Sequence, residues 1–406
     1  MPTPLSVFDP LLIPDGRSPA ESLQEAVELA RTAESLGFSR LWHGEHHLNP
    51  GVLGSSTAVT LALVGAATQS IRLGAGAALA GPRRALTLAE DFSLLAAAHP
   101  GRIDLGVGRA ALRGASAPSA SAPAHTSASP SSDLASDDHS ADPSADHSAD
   151  PATPNPSASE DTSGVIIPEA PDLSALLHSD RAAAASSLLM APGSPALDYG
   201  AFLDELLGLL RRNLTIGDTA IGDGVPTSAA DVDVWVLGSS AGTSAEAAGR
   251  RGLPFGANYH VAPAGTLEAV AHYRRSFRPT PYSPEPRVIV SAEVLIADTE
   301  AEAQRLGLGY AEWVWSIRSG QGAIPYPRPE DGLPHQHLTT EVRRGVEDRL
   351  STRLIGTAES VAEQLLALQR ATDADELLLS VTAHDLEARQ YALRALAEVW
   401  GLTPSP

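Results

Sequence analysis

Residues 5–37 read LSVFDPLLIPDGRSPAESLQEAVELARTAESLG, and this stretch contains the repeating unit of the fold. Its first five residues are mostly apolar and predict a short buried strand. Ser18, Pro19 and Glu21 then supply an N-cap, a proline at the first helical position and a capping-box glutamate. Apolar residues recur at helical spacing until Gly37, which is typical of a helix C-terminus. The stretch therefore predicts one strand followed by one helix.

The same pattern recurs seven more times along the chain. Strands are predicted at residues 5–9, 40–42, 71–79, 103–107, 232–237, 254–258, 288–296 and 376–381. The helices that follow them are predicted at residues 19–36, 58–67, 87–98, 199–211, 244–250, 267–277, 300–317 and 386–399, with two more near 339–350 and 359–369. Strict alternation predicts a parallel sheet, and eight units favour a closed (β/α)₈ TIM barrel. A Rossmann fold fits poorly, because no G-x-G-x-x-G follows the first strand.

One segment interrupts the barrel pattern after the fourth strand. Residues 111–196 are rich in serine, alanine, proline and aspartate, with 11 acidic and 2 basic side chains. This composition predicts a long disordered insertion, with hints of local order only at Val165-Ile-Ile and Leu188-Leu-Met. A short Asp-His-Ser-Ala-Asp-Pro repeat within it could bind a metal, but a solvated tether is favoured. The predicted organisation is residues 1–110, first half of the barrel; 111–196, insertion; and 197–406, second half.

The overall composition excludes several classes of function. The 406 residues include no cysteine and no lysine, since all 28 basic side chains are arginines. Disulfide scaffolds, thiolate nucleophiles, Schiff-base lysines and Walker A sites are therefore excluded. The net charge of −21 argues against nucleic acid as a partner. We find no secretory signal pattern and no apolar run long enough for a membrane span, so we expect a cytoplasmic protein.

A histidine cluster follows the second predicted strand, at the end of the barrel where chemistry takes place. It reads His43-Gly-Glu45-His46-His47. If the chain stays extended, the side chains of His43, Glu45 and His47 lie on one side and that of His46 on the other. The first three could then bind a metal, with His260 or His384 as further ligands, while His46 could act as an acid or base. The alternative is that these residues have no function in catalysis or binding and only pack as polar side chains within the loop.

A second candidate site lies where the fifth predicted strand ends. Gly238-Ser239-Ser240 leads into a helix that begins near Ser244, and the free N–H groups of a helix start favour a phosphate. Arg109, at the end of the fourth strand, is a suitable counter-charge for an anionic ligand. Ordinary helix capping and a surface salt bridge are the alternatives for these residues.

Several motifs together resemble the bacterial luciferase-like flavin monooxygenases and occur in that family's order. They are Trp42–Gly51, Ile71–Gly76, His99–Ala110, Leu237–Ser240, Gly252–Phe255, Ala374–Leu378 and His384-Asp385. The resemblance covers residues 4–110 and 198–402, and the joint set is far more specific than any one motif. It implies a (β/α)₈ barrel that receives reduced FMN from a separate reductase. O₂ then forms a flavin C4a-peroxide, which oxygenates a small organic substrate, a long-chain aldehyde in the luminescent members.

The resemblance also implies roles for individual residues, carried over by matching motif. His46 is the acid–base residue beside the reactive flavin carbon, and His47 is its neighbour in the catalytic pair. The residues implied in FMN binding are Arg109, Ser240 and Ser244 at the phosphate, with Gly238 and Ser239 beside them, and Gly76-Ala77 as a non-prolyl cis peptide under the ring. No metal is implied. The expected partners are a small substrate, O₂ and a flavin reductase that delivers FMNH₂, with a homodimer left open.

One loop departs from the family pattern. Residues 81–86 read Gly-Pro-Arg-Arg-Ala-Leu where many relatives carry Pro-Asn-His-x-Pro-Leu, so the substrate class and the flavin type stay open. The alternatives are a coenzyme F420-dependent oxidoreductase of the same superfamily, a flavin- or ligand-binding barrel without turnover, and a metal-dependent barrel hydrolase.

Overall fold

The computed structural model describes residues 3–109, 164–190, 196–226 and 231–403, and its centre is a closed barrel of eight parallel strands. In chain order these strands are β1 (Leu5–Asp9), β2 (Arg40–His43), β3 (Arg72–Ala80), β4 (Ile103–Arg109), β7 (Val232–Gly238), β8 (Phe255–Ala257), β9 (Val288–Ile296) and β11 (Glu376–Val381). Each pairs with the next, and pairing of β11 with β1 closes the ring. The predicted (β/α)₈ barrel is confirmed.

Three short strands lie outside the ring of eight. β5 (Thr215–Ile216) and β6 (Thr219–Ala220) form an antiparallel hairpin. β10 (Leu354–Gly356) pairs with the C-terminal end of β9. None of these strands was predicted, because two or three residues carry too little periodicity to distinguish them from loops.

The helices surround the barrel and largely match the sequence pattern. They are α1 (Pro19–Leu36), α2 (Thr57–Ala67), α3 (Ala85–Ala98), α4 (Ser174–Leu177), α5 (Asp180–Leu189), α6 (Tyr199–Leu210), α7 (Thr243–Arg250), α8 (Thr266–Ser276), α9 (Glu300–Leu306), α10 (Tyr310–Arg318), α11 (Thr340–Thr352), α12 (Ala358–Thr372) and α13 (Leu386–Trp400). The predicted single helix over 300–317 is wrong. Gly309 has φ of +87°, a conformation that glycine adopts at low cost, and it separates α9 from α10.

The first strand–helix unit forms as its sequence predicts. The Ser18 side chain accepts a hydrogen bond from the Glu21 backbone N–H, and the Glu21 carboxylate accepts one from the Ser18 N–H in return. Gly37 ends α1 with φ of +86°. These contacts satisfy backbone groups that a helix leaves unpaired at its ends.

The predicted disorder of residues 111–196 is wrong for residues 164–190, where the chain forms α4 and α5. The cause is tertiary contact that composition does not reveal. The Tyr259 hydroxyl donates to the Ile166 carbonyl over 2.8 Å, and the Arg181 guanidinium donates to the Leu48 carbonyl. The prediction for residues 111–163 lies outside the described residues.

The barrel interior is charged at its N-terminal end and aromatic at its centre. Arg40 forms ion pairs with Asp104 and Glu376 over 2.8 Å and 2.7 Å. Above this layer, Trp42 and Trp235 pack edge to face with ring centroids 5.4 Å apart. These rings fill the centre of the barrel, so a ligand site must lie at one of its two ends.

No helix within residues 3–109, 164–190, 196–226 and 231–403 is long and apolar enough to cross a membrane.

Candidate active site

The histidine cluster leaves β2 at the C-terminal end of the barrel, but its side chains do not follow simple alternation. His43 is the last residue of β2 and is fully buried, with Nδ1 2.9 Å from the Thr60 hydroxyl on α2. Burial lowers the pKa of His43 to about 4. The proposed grouping of His43 with Glu45 and His47 is therefore wrong, because His43 faces the helix layer.

Glu45 and His47 form a separate contact. Nε2 of His47 lies 2.7 Å from Oε1 of Glu45, whose side chain is fully buried. Glu45 also accepts hydrogen bonds from Arg83 Nε over 3.0 Å and from the Leu79 N–H over 3.2 Å. The carboxylate therefore ties the histidine loop to the end of β3 and to the loop that follows it. Across the described residues, no three His, Asp or Glu side chains are arranged to hold a metal ion.

His46 faces a cavity of about 490 Å³ at the same end of the barrel. Its backbone N–H donates to the Gly54 carbonyl over 2.6 Å, which fixes the loop beneath the imidazole. Desolvation lowers the pKa of His46 to about 4, so its imidazole is neutral at pH 7 and can accept a proton. The cavity is lined by His46, Leu48, Asn49, Pro50, Val52, Leu53, Ser55 and Arg181.

A group of polar residues beside His46 was missed by sequence reasoning or given another role. Nδ1 of His260 lies 2.5 Å from the Ser291 hydroxyl, and burial, with Arg349 and His46 nearby, lowers the pKa of His260 to about 3. Glu293 accepts hydrogen bonds from Tyr310 over 3.1 Å and from Arg349 over 3.2 Å. A carboxylate inside the largely apolar run of β9 is the available signal for Glu293.

The sequence also offers His384 as a possible further metal ligand. Its Nδ1 lies 3.0 Å from Asp385 Oδ1, and its Nε2 lies 2.9 Å from the Asp15 carbonyl. The contact with Asp15 joins the loop after β11 to the loop after β1.

The predicted phosphate residues include one pair in direct contact. Arg109 Nε donates to the Ser244 hydroxyl over 3.2 Å, which joins the end of β4 to the first turn of α7. Ser239 and Ser240 are exposed at the end of β7, and no side chain caps α7. A Cβ atom on Gly238 would lie 2.9 Å from Ser244 Cβ, so glycine allows the strand end and the helix start to approach closely. A guanidinium, hydroxyls and an uncapped helix start form a donor set that suits a phosphate.

The predicted cis peptide bond joins Gly76 to Ala77 within β3. It coincides with a shift in the register between β3 and β4, from Ala75 to Ala78. A Cβ atom on Gly76 would lie 3.0 Å from Trp42 Cε3, so this position packs directly on the aromatic centre of the barrel.

A second cavity, of about 310 Å³, lies at the opposite end of the barrel. Arg72 and Arg287, near the starts of β3 and β9, lie in its wall, and none of the predicted site residues does. In a parallel barrel the catalytic groups come from the other end of the strands, so we place the candidate site around His46 and Arg109.

The fold and this site define the class of the protein: a (β/α)₈ barrel with His46 at a cavity and a donor set suited to an anion, both at the C-terminal end of the strands. The sequence model of the luciferase-like monooxygenase family matches residues 3–115 and 199–375, and the chain belongs to that family. A protein named luciferase-like monooxygenase in Escherichia coli K12 is 27% identical over 395 residues, which cover 97% of this chain and 96% of the relative.

Solved structures share the same fold. The structure of apo-MsnO8 superposes with a TM-score of 0.71 at 27% identity and covers 99% of this chain and 100% of the other. The FMN complex of the oxygenating constituent of 3,6-diketocamphane monooxygenase from Pseudomonas putida superposes with a TM-score of 0.58 at 15% identity. This match covers 98% of this chain and 99% of the other. An F420-dependent secondary alcohol dehydrogenase superposes with a TM-score of 0.57 at 12% identity, and the match covers 100% of this chain and 99% of the other. The fold thus occurs both in a monooxygenase solved with FMN and in an F420-dependent dehydrogenase.

Proposed function

We propose that the protein is an FMNH₂-dependent monooxygenase that uses O₂ to oxygenate a small organic substrate, with reduced flavin supplied by a separate reductase. The observation that carries the proposal is the contact of 3.2 Å between Arg109 and Ser244 at the uncapped start of α7. This pair lies at the same end of the barrel as the His46 cavity. FMN carries a phosphate at one end and a reactive ring at the other, so its binding requires an anion site and a separate reactive site.

In this proposal, Arg109, Ser240 and Ser244 hold the FMN phosphate, and Gly238 and Ser239 complete the strand end beside it. The guanidinium offsets the negative charge, while the hydroxyls and the first N–H groups of α7 donate hydrogen bonds. Gly76 and Ala77 lie under the flavin ring.

Bound reduced FMN supplies the reaction with O₂ and the transfer of one oxygen atom. His46 accepts or returns a proton at its imidazole, which is neutral at pH 7. Leu48, Val52 and Leu53 line the cavity with apolar surface that a substrate covers on binding, and excluding water there limits the loss of the reduced oxygen as hydrogen peroxide. His47, held by Glu45, fixes the loop that presents His46.

The test supplies the protein with FMNH₂, ¹⁸O₂ and a panel of aldehydes, ketones and thioethers. We expect mass spectrometry to find one labelled oxygen atom in a product and the other in water. His46→Ala should slow product formation by roughly 10²-fold and leave FMN affinity nearly unchanged, since the usual loss for an acid–base group affects chemistry more than binding. Unlabelled products throughout the panel would contradict oxygenation, and unchanged turnover would remove His46 from the reaction.

The F420-dependent reaction is the second candidate, because the anion-binding strand end could also hold a phosphate of that cofactor. Parallel titrations with FMN and F420 distinguish the two. Tighter binding of F420, with hydride transfer to or from an alcohol, would replace our proposal.

We also propose that the protein forms a homodimer through an apolar face of α2 and α3. Val59 and Leu63 on α2 are 61% and 48% exposed, and Leu86 and Leu94 on α3 are 46% and 61% exposed. The outward positions 59, 62, 63 and 66 follow helical spacing and carry only valine, alanine and leucine. Exposed apolar side chains grouped on one helix face favour association with another protein surface.

A further inference from the structure

Helix α5 brings an arginine to the mouth of the His46 cavity. Arg181 lies in its first turn and lines the cavity with His46 and Leu48. Its guanidinium donates to the Leu48 carbonyl, and a Cβ atom on Gly322 would lie 2.5 Å from Arg181 Nε. At the other end of α5, Met190 Sδ lies 3.7 Å from the corresponding Cβ position on Gly81. The two ends of the helix thus lie against two different loops, one containing Gly322 and the other Gly81.

The cavity has one charged side chain among the eight residues that line it. Leu48, Pro50, Val52 and Leu53 are apolar, Asn49 and Ser55 are uncharged, and the lowered pKa of His46 keeps its imidazole neutral at pH 7. The Asn49 amide is occupied by the loop itself, since it donates to the His47 carbonyl and accepts from the Ala323 N–H, both over 2.9 Å. The guanidinium of Arg181 is therefore the charged group that a ligand contacts when it enters this cavity.

The charge of Arg181 has no counter-charge in the described parts of the chain. No carboxylate lies within 4 Å of its guanidinium there, and the Leu48 carbonyl is a neutral acceptor. Arg83 differs, because Glu45 lies 3.0 Å and Asp91 3.7 Å from its nitrogen atoms. A guanidinium has five N–H donors in a planar fork, so Arg181 retains donors for a second, charged acceptor.

We propose that Arg181 binds a carboxylate at one end of the substrate, whose apolar body lies along Leu48, Val52 and Leu53 and whose oxidised atom lies near His46. This inference rests on the proposed function and names its substrate class, an apolar carboxylic acid. A guanidinium binds a carboxylate through two parallel hydrogen bonds. The helix that carries Arg181 thereby selects the charge of the ligand that enters the cavity.

The test compares two probes of equal length, octanoate and octanamide, by isothermal titration calorimetry with the full-length protein. We expect octanoate to bind the unaltered protein at least about tenfold more tightly than octanamide, since a charge-assisted hydrogen bond exceeds a neutral one. Arg181→Gln should remove this preference by weakening octanoate alone, and Arg181→Lys should keep part of it. Arg275→Gln, which removes an exposed arginine at the C-terminal end of α8, is the matched control and should change neither probe.

Three results would overturn the proposal. The first is octanamide binding as tightly as octanoate to the unaltered protein, and the second is no binding of octanoate at millimolar concentration. The third is equal weakening of both probes by Arg181→Gln, which would mean that Arg181 only holds α5 against Leu48. Because the probes bind without flavin turnover, these results are independent of the ¹⁸O₂ experiment. A protein that oxygenates neutral substrates only would keep the proposed function and lose this inference.

Discussion

Nε2 of His47 lies 2.7 Å from Oε1 of Glu45, and this contact separates the roles of two adjacent histidines. His47 is held by a buried carboxylate that also binds Arg83. His46, one residue earlier, lines the cavity, and its imidazole has no hydrogen bond within the described residues. The arrangement leaves His46 available to a ligand and uses His47 to hold the loop in place.

Glu45→Gln should therefore destabilise the protein. The substitution leaves Arg83 and His47 without their shared carboxylate, and breaking a buried ion pair typically costs about 3 kcal/mol. Urea unfolding measures the loss. Asp91→Asn removes the outer partner of the same arginine, at 3.7 Å and partly exposed, and should cost less than about 1 kcal/mol. Equal losses for the two variants would contradict the structural role of Glu45.

Arg109→Ala should weaken the binding of FMN by about 2 kcal/mol, or roughly 30-fold, as expected when one partner of a charge-assisted contact is removed. Riboflavin lacks the phosphate, so its affinity should stay within about twofold of the original value. Quenching of flavin fluorescence measures both affinities, and Arg275→Ala is the control at the opposite end of the barrel. If both flavins lose affinity to the same extent, Arg109 does not bind the phosphate.

Local signals in the sequence predicted the elements of the fold, because capping residues and apolar periodicity act within a few residues. Side-chain directions beyond the strand end were not predictable in the same way. Alternation requires an extended chain, but β2 ends at His43 and Leu48 has φ of +57°, so the loop does not keep the strand's alternation. Contacts between distant segments were also not predictable. The composition of α5 suggests disorder, but its residues contact Leu48 and the backbone at Gly322, which are far away in the sequence.

The stability of the protein should fall as the pH drops from about 6.5 to about 4. Folded His43 has a pKa of about 4, below its unfolded value of 6.5, so the unfolded chain binds more protons in this range. The difference corresponds to roughly 3 kcal/mol, present above pH 6.5 and lost toward pH 4.

His43→Asn tests this assignment, because asparagine does not take up a proton and can still contact Thr60. Its free energy of unfolding, measured by denaturant titration at several pH values, should depend less on pH between 6.5 and 4. His337→Asn, at an exposed position, should leave the pH dependence unchanged. Parallel curves for His43→Asn and the unaltered protein would assign the acid sensitivity to other groups.

Light scattering after gel filtration should give twice the chain mass of 42.0 kDa. The double variant Leu63→Glu, Leu94→Glu places charges on the apolar face of α2 and α3 and should produce monomers, because burying an unpaired charge is costly. Val399→Glu makes the same change at a position on α13 that is 43% exposed, and should remain dimeric. A monomeric unaltered protein, or a double variant that stays dimeric, would contradict the proposed interface.

Two deletions separate the parts of the insertion after β4. Replacing residues 111–163 with a short Gly/Ser linker should change the melting temperature by only a few degrees, since loop-closure entropy grows logarithmically with length. Replacing residues 111–190 also removes α5 and the contacts of Arg181 with Leu48 and of Ile166 with Tyr259. This longer deletion should lower the melting temperature further and abolish the preference for octanoate over octanamide. Scanning calorimetry and the probe titrations measure both effects. If the shorter deletion alone unfolds the barrel, residues 111–163 contribute to its core, and the predicted division of the chain is wrong.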